Sequence, residues 1–249
     1  MKMTRILVLV LLTTAAFSIS ARAQSFSSST VATTDSDVYN AGATALAFDY
    51  NDLFNGTTTT VNGVTFSGNP DNSATGVSLS LSNLSLDLAT FSDGASNGVY
   101  APGLASTATA NYAYILTSLA YNNNNLPATL TLNGLKAGET YELQVFAGTE
   151  GASGTETLTD VTGPTLPSPS GSLNYGLGTP SASAADFIDE SFTAVAGGTE
   201  TITIAAPQQY LILNAINLQV VPEPSTYALM LGGLGCLVFL IRRKAFGAV

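Results

Sequence analysis

The sequence predicts an all-β fold, an antiparallel β-sandwich or jelly roll, for the long central part of the chain. Short runs of alternating apolar and polar residues recur there, each bounded by Gly, Asn, Pro or Ser, as expected of half-buried strands. No long run has apolar residues at helical spacing, and small polar residues dominate the composition. Roughly nine or ten short strands of this kind fit two packed sheets.

The N-terminal segment has the features of a secretory signal peptide. The chain divides into residues 1–23, 24–219 and 220–249. Lys2 and Arg5 form a basic start, an apolar run follows, and Ala21 and Ala23 give the small-x-small pattern that signal peptidase cleaves. We therefore predict export through the Sec machinery and a mature chain that starts at Gln24.

Nine alternating runs predict the strands of the body. The Asn62-Gly63 step predicts a hairpin turn or a bulge, and Asn83 marks a change of register within one run. The clearest run places Tyr141, Leu143 and Val145 on one face. In order, the runs are 44–50, 60–66, 77–88, 112–121, 128–132, 140–146, 187–195, 200–205 and 210–220.

Residues 163–185 interrupt this rhythm with four prolines among Ser, Gly and Thr. We interpret them as a long surface loop between strands. A linker between two domains is the alternative, but the body that follows is too short for a second domain.

The body is almost purely acidic. Sixteen Asp and Glu residues and a single cation, Lys136, lie between residues 24 and 219, which gives a net charge of −15. Phosphate binding needs Lys and Arg, so this surface excludes nucleic acid as a partner. Lys136 lies in a Gly-flanked turn, where we expect a solvated side chain.

The C-terminal segment predicts a membrane span. Residues 221–226 read Val-Pro-Glu-Pro-Ser-Thr, and the apolar run 227–241 follows them. These 15 residues give about 22 Å of helix, which is short for a bilayer core of about 30 Å. The basic tail 242–249 begins with Arg242, Arg243 and Lys244, which places it on the cytoplasmic side and the body outside.

Several catalytic classes lack their residues. The chain has no His and no Trp, and its single Cys, Cys236, lies in the apolar run. Ser-His-Asp and Cys-His sites are excluded, as are His-ligated zinc or iron sites. Carboxylates remain as the route to catalysis.

Three groups of acids could serve glycoside hydrolysis, or they could be solvated acids at strand ends. Calcium is the metal that such oxygen ligands would hold, but no regular spacing identifies its residues, so the metal ligands stay unknown and no other cofactor is expected. The groups are Asp35 with Asp37, Asp49 with Asp52, and Asp186 with Asp189 and Glu190.

One aromatic and amide cluster could face a sugar. Tyr112, Tyr114 and Tyr121 precede the Asn run 122–125, and Tyr rings and Asn amides are groups that contact sugars. The alternative is a strand of core tyrosines followed by a polar turn.

The C-terminal segment resembles the PEP-CTERM sorting signal. Pro222, Glu223 and Pro224, the apolar run and the basic tail appear in the same order and position. The resemblance implies a protein of a Gram-negative, exopolysaccharide-making bacterium and recognition of the tripeptide by exosortase, a membrane transpeptidase. Such a protein would be held in the inner membrane until processing and would then reach the envelope, the outer surface or the extracellular matrix.

The body resembles secreted β-sandwich domains that carry this signal, in the block of residues 130–146 and in the closing runs 192–194 and 213–218. Those folds are similar to galactose-binding-like and malectin-like jelly rolls. The resemblance implies polysaccharide as a partner. We expect a non-enzymatic envelope or matrix protein first, a carbohydrate-binding module with or without calcium second, and a carboxylate glycan hydrolase or lyase third.

Overall fold

The computed structural model describes most of the body. The described residues are 24–84, 110–117, 119–122, 126–148, 154–162, 168–175, 185–206, 211–222 and 232–233. The predicted signal peptide, Glu223, Pro224, nearly all of the apolar run 227–241 and the tail 242–249 lie outside them. Among the described residues, no helix is both long and apolar enough to cross a membrane.

Short strands make up most of the described chain. The helices are the 3-10 helix Asp35–Asp37, α1 (Tyr50–Asn55) and α2 (Ala110–Thr117). The strands are β1 (Ser25–Phe26), β2 (Thr30–Val31), β3 (Ala43–Asp49), β4 (Thr58–Val61), β5 (Val64–Ser67), β6 (Asp71–Asn72), β7 (Val77–Ser82), β8 (Ala120–Asn122), β9 (Ala128–Asn133), β10 (Thr140–Ala147), β11 (Gly154–Asp160), β12 (Ser170–Tyr175), β13 (Asp186–Thr193), β14 (Thr199–Ala205), β15 (Leu211–Leu213) and β16 (Ala215–Val221).

The strands form two large sheets and one small one. The larger sheet has the order β1-β13-β10-β16-β3-β5-β4, with β2 also paired to β13. The second sheet has the order β12-β11-β14-β9-β7-β6, and β15 pairs with β8. The predicted all-β sandwich is confirmed. The prediction of purely antiparallel pairing is wrong at one place, because β3 and β5 pair in parallel at Phe48 and Ser67.

The main hydrophobic core lies between the two large sheets. Tyr141, Leu143 and Val145 of β10 face it, as their alternation predicts, and Leu130 and Leu132 of β9 meet them from the second sheet. All five side chains are at most 2% exposed. The inward face of β10 therefore forms the centre of the sandwich.

The opposite face of the larger sheet is also covered. Helix α2 and the β4–β5 hairpin pack there, so that Tyr112, Ile115 and Leu116 are buried against Phe146. Strands β10 and β16 are thus buried on both faces.

Three amide side chains on this outer face bind the segment before β3. Gln144 accepts from the Tyr39 amide at 2.6 Å, and Asn217 donates to the Tyr39 carbonyl at 2.9 Å. Gln219 donates to the same carbonyl and accepts from Gly42 at 3.1 Å. A Cβ on Gly42 would lie 1.9 Å from a backbone oxygen of β16, so only glycine allows this approach. We call these three amides the amide clasp.

Three predicted elements differ from the structure. Residues 112–121 were predicted as a strand, but they form α2 and then β8. The reason is that Tyr112, Ile115 and Leu116 repeat at helical spacing and bury one helix face. The predicted loop 163–185 contains β12, because Leu173 and Tyr175 reach the core.

The run 210–220 was predicted as one strand and forms two. Asn214 separates β15 from β16, and its side-chain amide donates to the Leu116 carbonyl at 2.9 Å. In the run 77–88, β7 ends at Ser82, and Asn83 follows with a positive φ of 58°. The residues after 84 lie outside the described part.

The hairpin predicted at Asn62-Gly63 is confirmed. Both residues have positive φ, 48° and 80°, and Val61 pairs with Val64 across the turn. Positive φ at both central residues is the geometry of a type I′ turn.

We predict that Gln144→Ala lowers the free energy of unfolding by about 1–3 kcal/mol, because it removes the part-buried hydrogen bonds that the Gln144 side chain forms with the Tyr39 amide and the Asp37 carbonyl. Urea denaturation measures the change. Ser80→Ala, on the exposed face of β7, is the matched control and should change stability little. Equal effects of the two substitutions would contradict a stabilising role for the clasp.

Candidate functional site

Three acids lie in the interior between the two large sheets. Asp160 ends β11, Glu190 lies in β13 and Glu200 lies in β14. They are 0%, 1% and 0% exposed. Each is two residues from an inward apolar side chain, such as Ile188 or Ile202, so strand alternation turns it inward. We call Asp160, Glu190 and Glu200 the acid cluster.

Some carboxyl oxygens of the acid cluster lack a hydrogen-bond partner among the described residues. Asp160 pairs with Ile202, which puts Glu200 at the diagonal position, so the two carboxyl groups lie close to each other. The Asp160 Oδ1 atom accepts from the Thr162 amide at 2.8 Å. Both carboxyl oxygens of Glu190 lack a hydrogen-bond partner among the described residues.

Burial favours the protonated form of Glu190 and Glu200. Burial first, and then the interaction with Asp160 and its negative charge, raise the pKa of Glu200 to about 9. The pKa of Glu190 is well above its ordinary value, because of burial first and then the charges of Asp160, Glu200 and Glu142. At neutral pH Glu200 therefore holds a proton.

A fourth inward acid supports the small sheet. Glu156 of β11 is fully buried and accepts a hydrogen bond from the Ile212 amide of β15. Burial raises its pKa to about 8. Burial first, and then the charge of Glu156, raise the pKa of Tyr175 to about 12.

Within the described ranges, no group of three or more His, Cys, Asp or Glu side chains is arranged to hold a metal ion. Calcium binding stays a prediction without a located site.

The acids on β13 do not form a catalytic pair in a cleft. Asp186 and Glu190 point inward and Asp189 points to the opposite face, because side chains alternate along the strand. Glu190 lies four positions after Asp186 in the strand, which places their Cα atoms roughly 13 Å apart. This distance is more than the spacing of glycosidase carboxyls. The expectation of solvated acids is wrong for Asp186 and Glu190, which are 8% and 1% exposed.

The other two acid groups stabilise local backbone. Asp37 accepts from the amides of the two residues before the 3-10 helix, at 2.6 and 2.8 Å from residues 33 and 34. Asp49 caps α1 by accepting from the Asp52 amide at 2.8 Å. Asp52 accepts from the Thr59 hydroxyl at 3.2 Å. These acids have structural partners, and Asp49 and Asp52 are buried and not solvated.

The aromatic and amide cluster is dispersed. Tyr112 is fully buried in α2, so it is a core tyrosine, although on a helix and not on a strand. Asn122 donates to the carbonyls of Asn83 and Leu126 at 2.6 and 3.0 Å, which stabilises the polar turn. Residues 123–125 lie outside the described part. Lys136 is exposed and forms an ion pair with Glu139, as its turn position predicts.

A polar cleft of about 480 Å³ lies beside β3, β5 and β6. No Lys or Arg is among the described residues that line it. Sequence reasoning missed this site, although the density of Ser, Asn and Asp in residues 67–73 is a signal for it. Its polar lining includes Thr65, Ser67, Asn69, Asp71, Asn72 and Ser73.

The C-terminal segment leaves the body at the centre of the larger sheet. Val221 is the last residue of β16 and pairs with Thr140. The next residue, Pro222, is exposed. The body and this tail together define a β-sandwich protein with a C-terminal extension that begins without a linker.

Comparison with known families identifies that extension. Residues 220–244 match the PEP-CTERM protein-sorting motif, so the chain contains this motif and the predicted resemblance of its C-terminal segment is confirmed. The match begins inside β16, at Val220. The motif implies a secreted protein that is processed at the membrane and recognised by exosortase.

Comparison with individual proteins finds a partial structural similarity. No curated protein matches the chain. A solved structure of a family GH115 4-O-methyl-α-glucuronidase with specificity for decorated arabinogalactans is similar to part of it, with 14% identity and a TM-score of 0.31. The similarity covers 43% of this chain and 15% of that one.

We predict that the stability of the unprocessed full-length chain falls as pH rises from about 5 to 9, since Glu200 has a folded pKa of about 9 against an ordinary value of 4.5. The folded state keeps the proton, so its advantage is complete below pH 4.5 and is lost through pH 9. Glu200→Gln should reduce the slope by up to about 1 kcal/mol per pH unit.

Urea denaturation in detergent at a series of pH values measures the slope. Asp71→Asn removes an exposed carboxyl and is the control, which should keep the slope of the parent chain. The assignment fails if the Glu200 and Asp71 variants have the same slope.

Proposed function

We propose that this protein is an exported, non-catalytic component of the cell envelope or extracellular matrix of a Gram-negative bacterium. The signal peptide directs it to the Sec machinery, and cleavage after Ala23 releases the body. The apolar run 227–241 holds the chain in the inner membrane until exosortase acts at Pro222, Glu223 and Pro224. The body then reaches the envelope, the outer surface or the matrix.

The position of the sorting motif carries this proposal. The family match starts in the last residues of β16, and Pro222 is the first exposed residue after that strand. β16 lies between β10 and β3 at the centre of the larger sheet, so the tripeptide follows a strand that is paired on both edges. Exosortase therefore meets the tripeptide directly beside a folded body.

The environment of the acids supports a body without catalysis. The acid cluster lies between the sheets, and the acids near α1 and the 3-10 helix accept hydrogen bonds from their own backbone. Such groups are engaged in the fold and are not presented to a substrate.

We predict that replacing Pro222, Glu223 and Pro224 by Ala prevents tail processing in a host that contains exosortase. The chain should stay in the inner membrane at its unprocessed mass, because the two prolines and the fixed charge of the recognition segment are lost. Cell fractionation and mass spectrometry of the intact protein measure both effects.

The matched control replaces the adjacent Ser225 and Thr226 by Ala and should be processed normally. Normal processing and release of the triple variant would show that the tripeptide does not direct sorting.

A second function is supported by the polar cleft beside β3, β5 and β6. Hydroxyl, amide and carboxylate groups line it, and those groups form hydrogen bonds with sugar hydroxyls. The absence of Lys and Arg among its described lining residues favours a neutral over an acidic glycan. We propose polysaccharide binding there, on a body similar to galactose-binding-like and malectin-like jelly rolls.

We predict that the double variant Asn69→Ala and Asp71→Ala lowers affinity for a bound neutral glycan about tenfold, because it removes hydrogen bonds to the sugar. Screening on a glycan array, with and without a calcium chelator, followed by titration calorimetry, measures it. Thr155→Ala, exposed on β11, is the control and should bind normally. No binding by the parent chain to any neutral or acidic polysaccharide would refute glycan binding.

A further inference from the structure

The structure places the predicted mature N-terminus beside the acid cluster. We propose that signal-peptide cleavage creates the cation that this cluster lacks, and that the α-ammonium of Gln24 binds Glu200 between the sheets. The acid cluster would thus be an intramolecular binding site for the new N-terminus. This inference rests on the proposed export, since it requires cleavage between Ala23 and Gln24.

A direct contact connects residue 24 to the cluster. The Gln24 side-chain amide donates to the Glu200 Oε1 atom at 3.4 Å. The register of β1 agrees with this position, because Phe26 pairs with Glu190 and Ser25 pairs with Ser191. Phe26 packs against the main core, and strand alternation turns Gln24 to the same side.

The cluster has carboxyl oxygens that need a donor. Besides both oxygens of Glu190, the Oδ2 atom of Asp160 and the Oε2 atom of Glu200 lack hydrogen-bond partners in the described part of the chain. Glu190 is 1% exposed, so water does not replace those bonds easily.

The charged groups around the cluster are negative. Glu200 from β14 faces Asp160 from β11 and Glu190 from β13, and the charge of Glu142 from β10 also acts on Glu190. The only cation of the body, Lys136, is engaged at the surface with Glu139. Residues 24–219 therefore supply no free side-chain cation to balance the buried acids.

Cleavage of the signal peptide supplies a cation. Hydrolysis adds one water across the Ala23–Gln24 peptide bond, which leaves a carboxylate on Ala23 and an amino group on Gln24. An α-amino group has an ordinary pKa of about 7.7–8.0, so at neutral pH it takes a proton and becomes an ammonium with three donors. Before cleavage, the same nitrogen is a neutral amide with one donor.

The test compares two chains that both end at Val249, purified in the same detergent. One starts at Gln24, released by a protease that leaves no extra residue, and the other carries Gly-Ser-Gly-Ser before Gln24. Both have one α-amino group, so only its position differs. At about pH 7 we expect a Tm about 2–4 °C higher for the chain that starts at Gln24.

The pH profile separates an ion pair from simple packing. The ammonium favours the ionised carboxyl, so it lowers the pKa of Glu200 in the chain that starts at Gln24. The Tm difference should vanish at low pH, where the carboxyl is protonated in both chains, and above about pH 10, where the ammonium is neutral. N-terminal Gln can cyclise with loss of ammonia, which removes the charge. A chain cyclised in this way, identified by its mass, should melt like the extended chain.

Substitutions of the two glutamates test which carboxyl group binds the ammonium. Glu200→Gln should abolish the Tm difference, and Glu190→Gln should reduce it, while Asp71→Asn should leave it unchanged. Equal Tm values of the two chains at every pH would overturn the proposal, as would a difference that persists in Glu200→Gln. N-terminal sequencing of the exported protein tests cleavage separately, so a failure of export and a failure of the ion pair are distinguishable.

Discussion

The burial of β10 and β16 on both faces is the constraint on which the rest of the structure depends. Their inward side chains form the core with the second sheet, and their outward faces lie under α2 and the β4–β5 hairpin. Polar side chains on such strands must find partners inside the protein. The amide clasp meets this need, because Gln144, Asn217 and Gln219 bind the backbone near Tyr39 and fix the path into β3.

The same sandwich encloses acids that it does not neutralise with Lys or Arg. Burying a charge without a partner is costly, so Glu190 and Glu200 keep protons, and their pKa values rise. Residues 24–219 contain a single cation, Lys136, and it pairs with Glu139 at the surface, so no other Lys or Arg of the body could neutralise these acids. The proposed pairing with a new N-terminus would connect the stability of the body to its export, and the central position of β16 connects the sorting motif to the same folded body.

Much of the fold could be predicted from the sequence, and the errors have physical causes. The alternation of apolar and polar residues predicted β3, β10 and β14, and the Asn62-Gly63 step predicted the hairpin between β4 and β5. Both signals are local in the sequence. Helix α2 was missed because its helical spacing covers only a few residues. The helix is stabilised by packing on the outer face of the larger sheet, which the local sequence does not reveal. The acid cluster was missed for a related reason, since its members come from three strands that are distant in the sequence.

The sequence by itself determined the C-terminal sorting motif, the all-β class, and the absence of His and of any Cys outside the apolar run. The sorting motif is a contiguous segment with a fixed order of Pro222, Glu223, Pro224, apolar run and basic tail, so no folding is needed to recognise it. Only the tertiary structure decided which acids are buried, that Glu190 and Glu200 meet Asp160, and that Gln24 lies beside them. Burial and pairing depend on contacts between distant strands, and the local pattern of residues does not specify them.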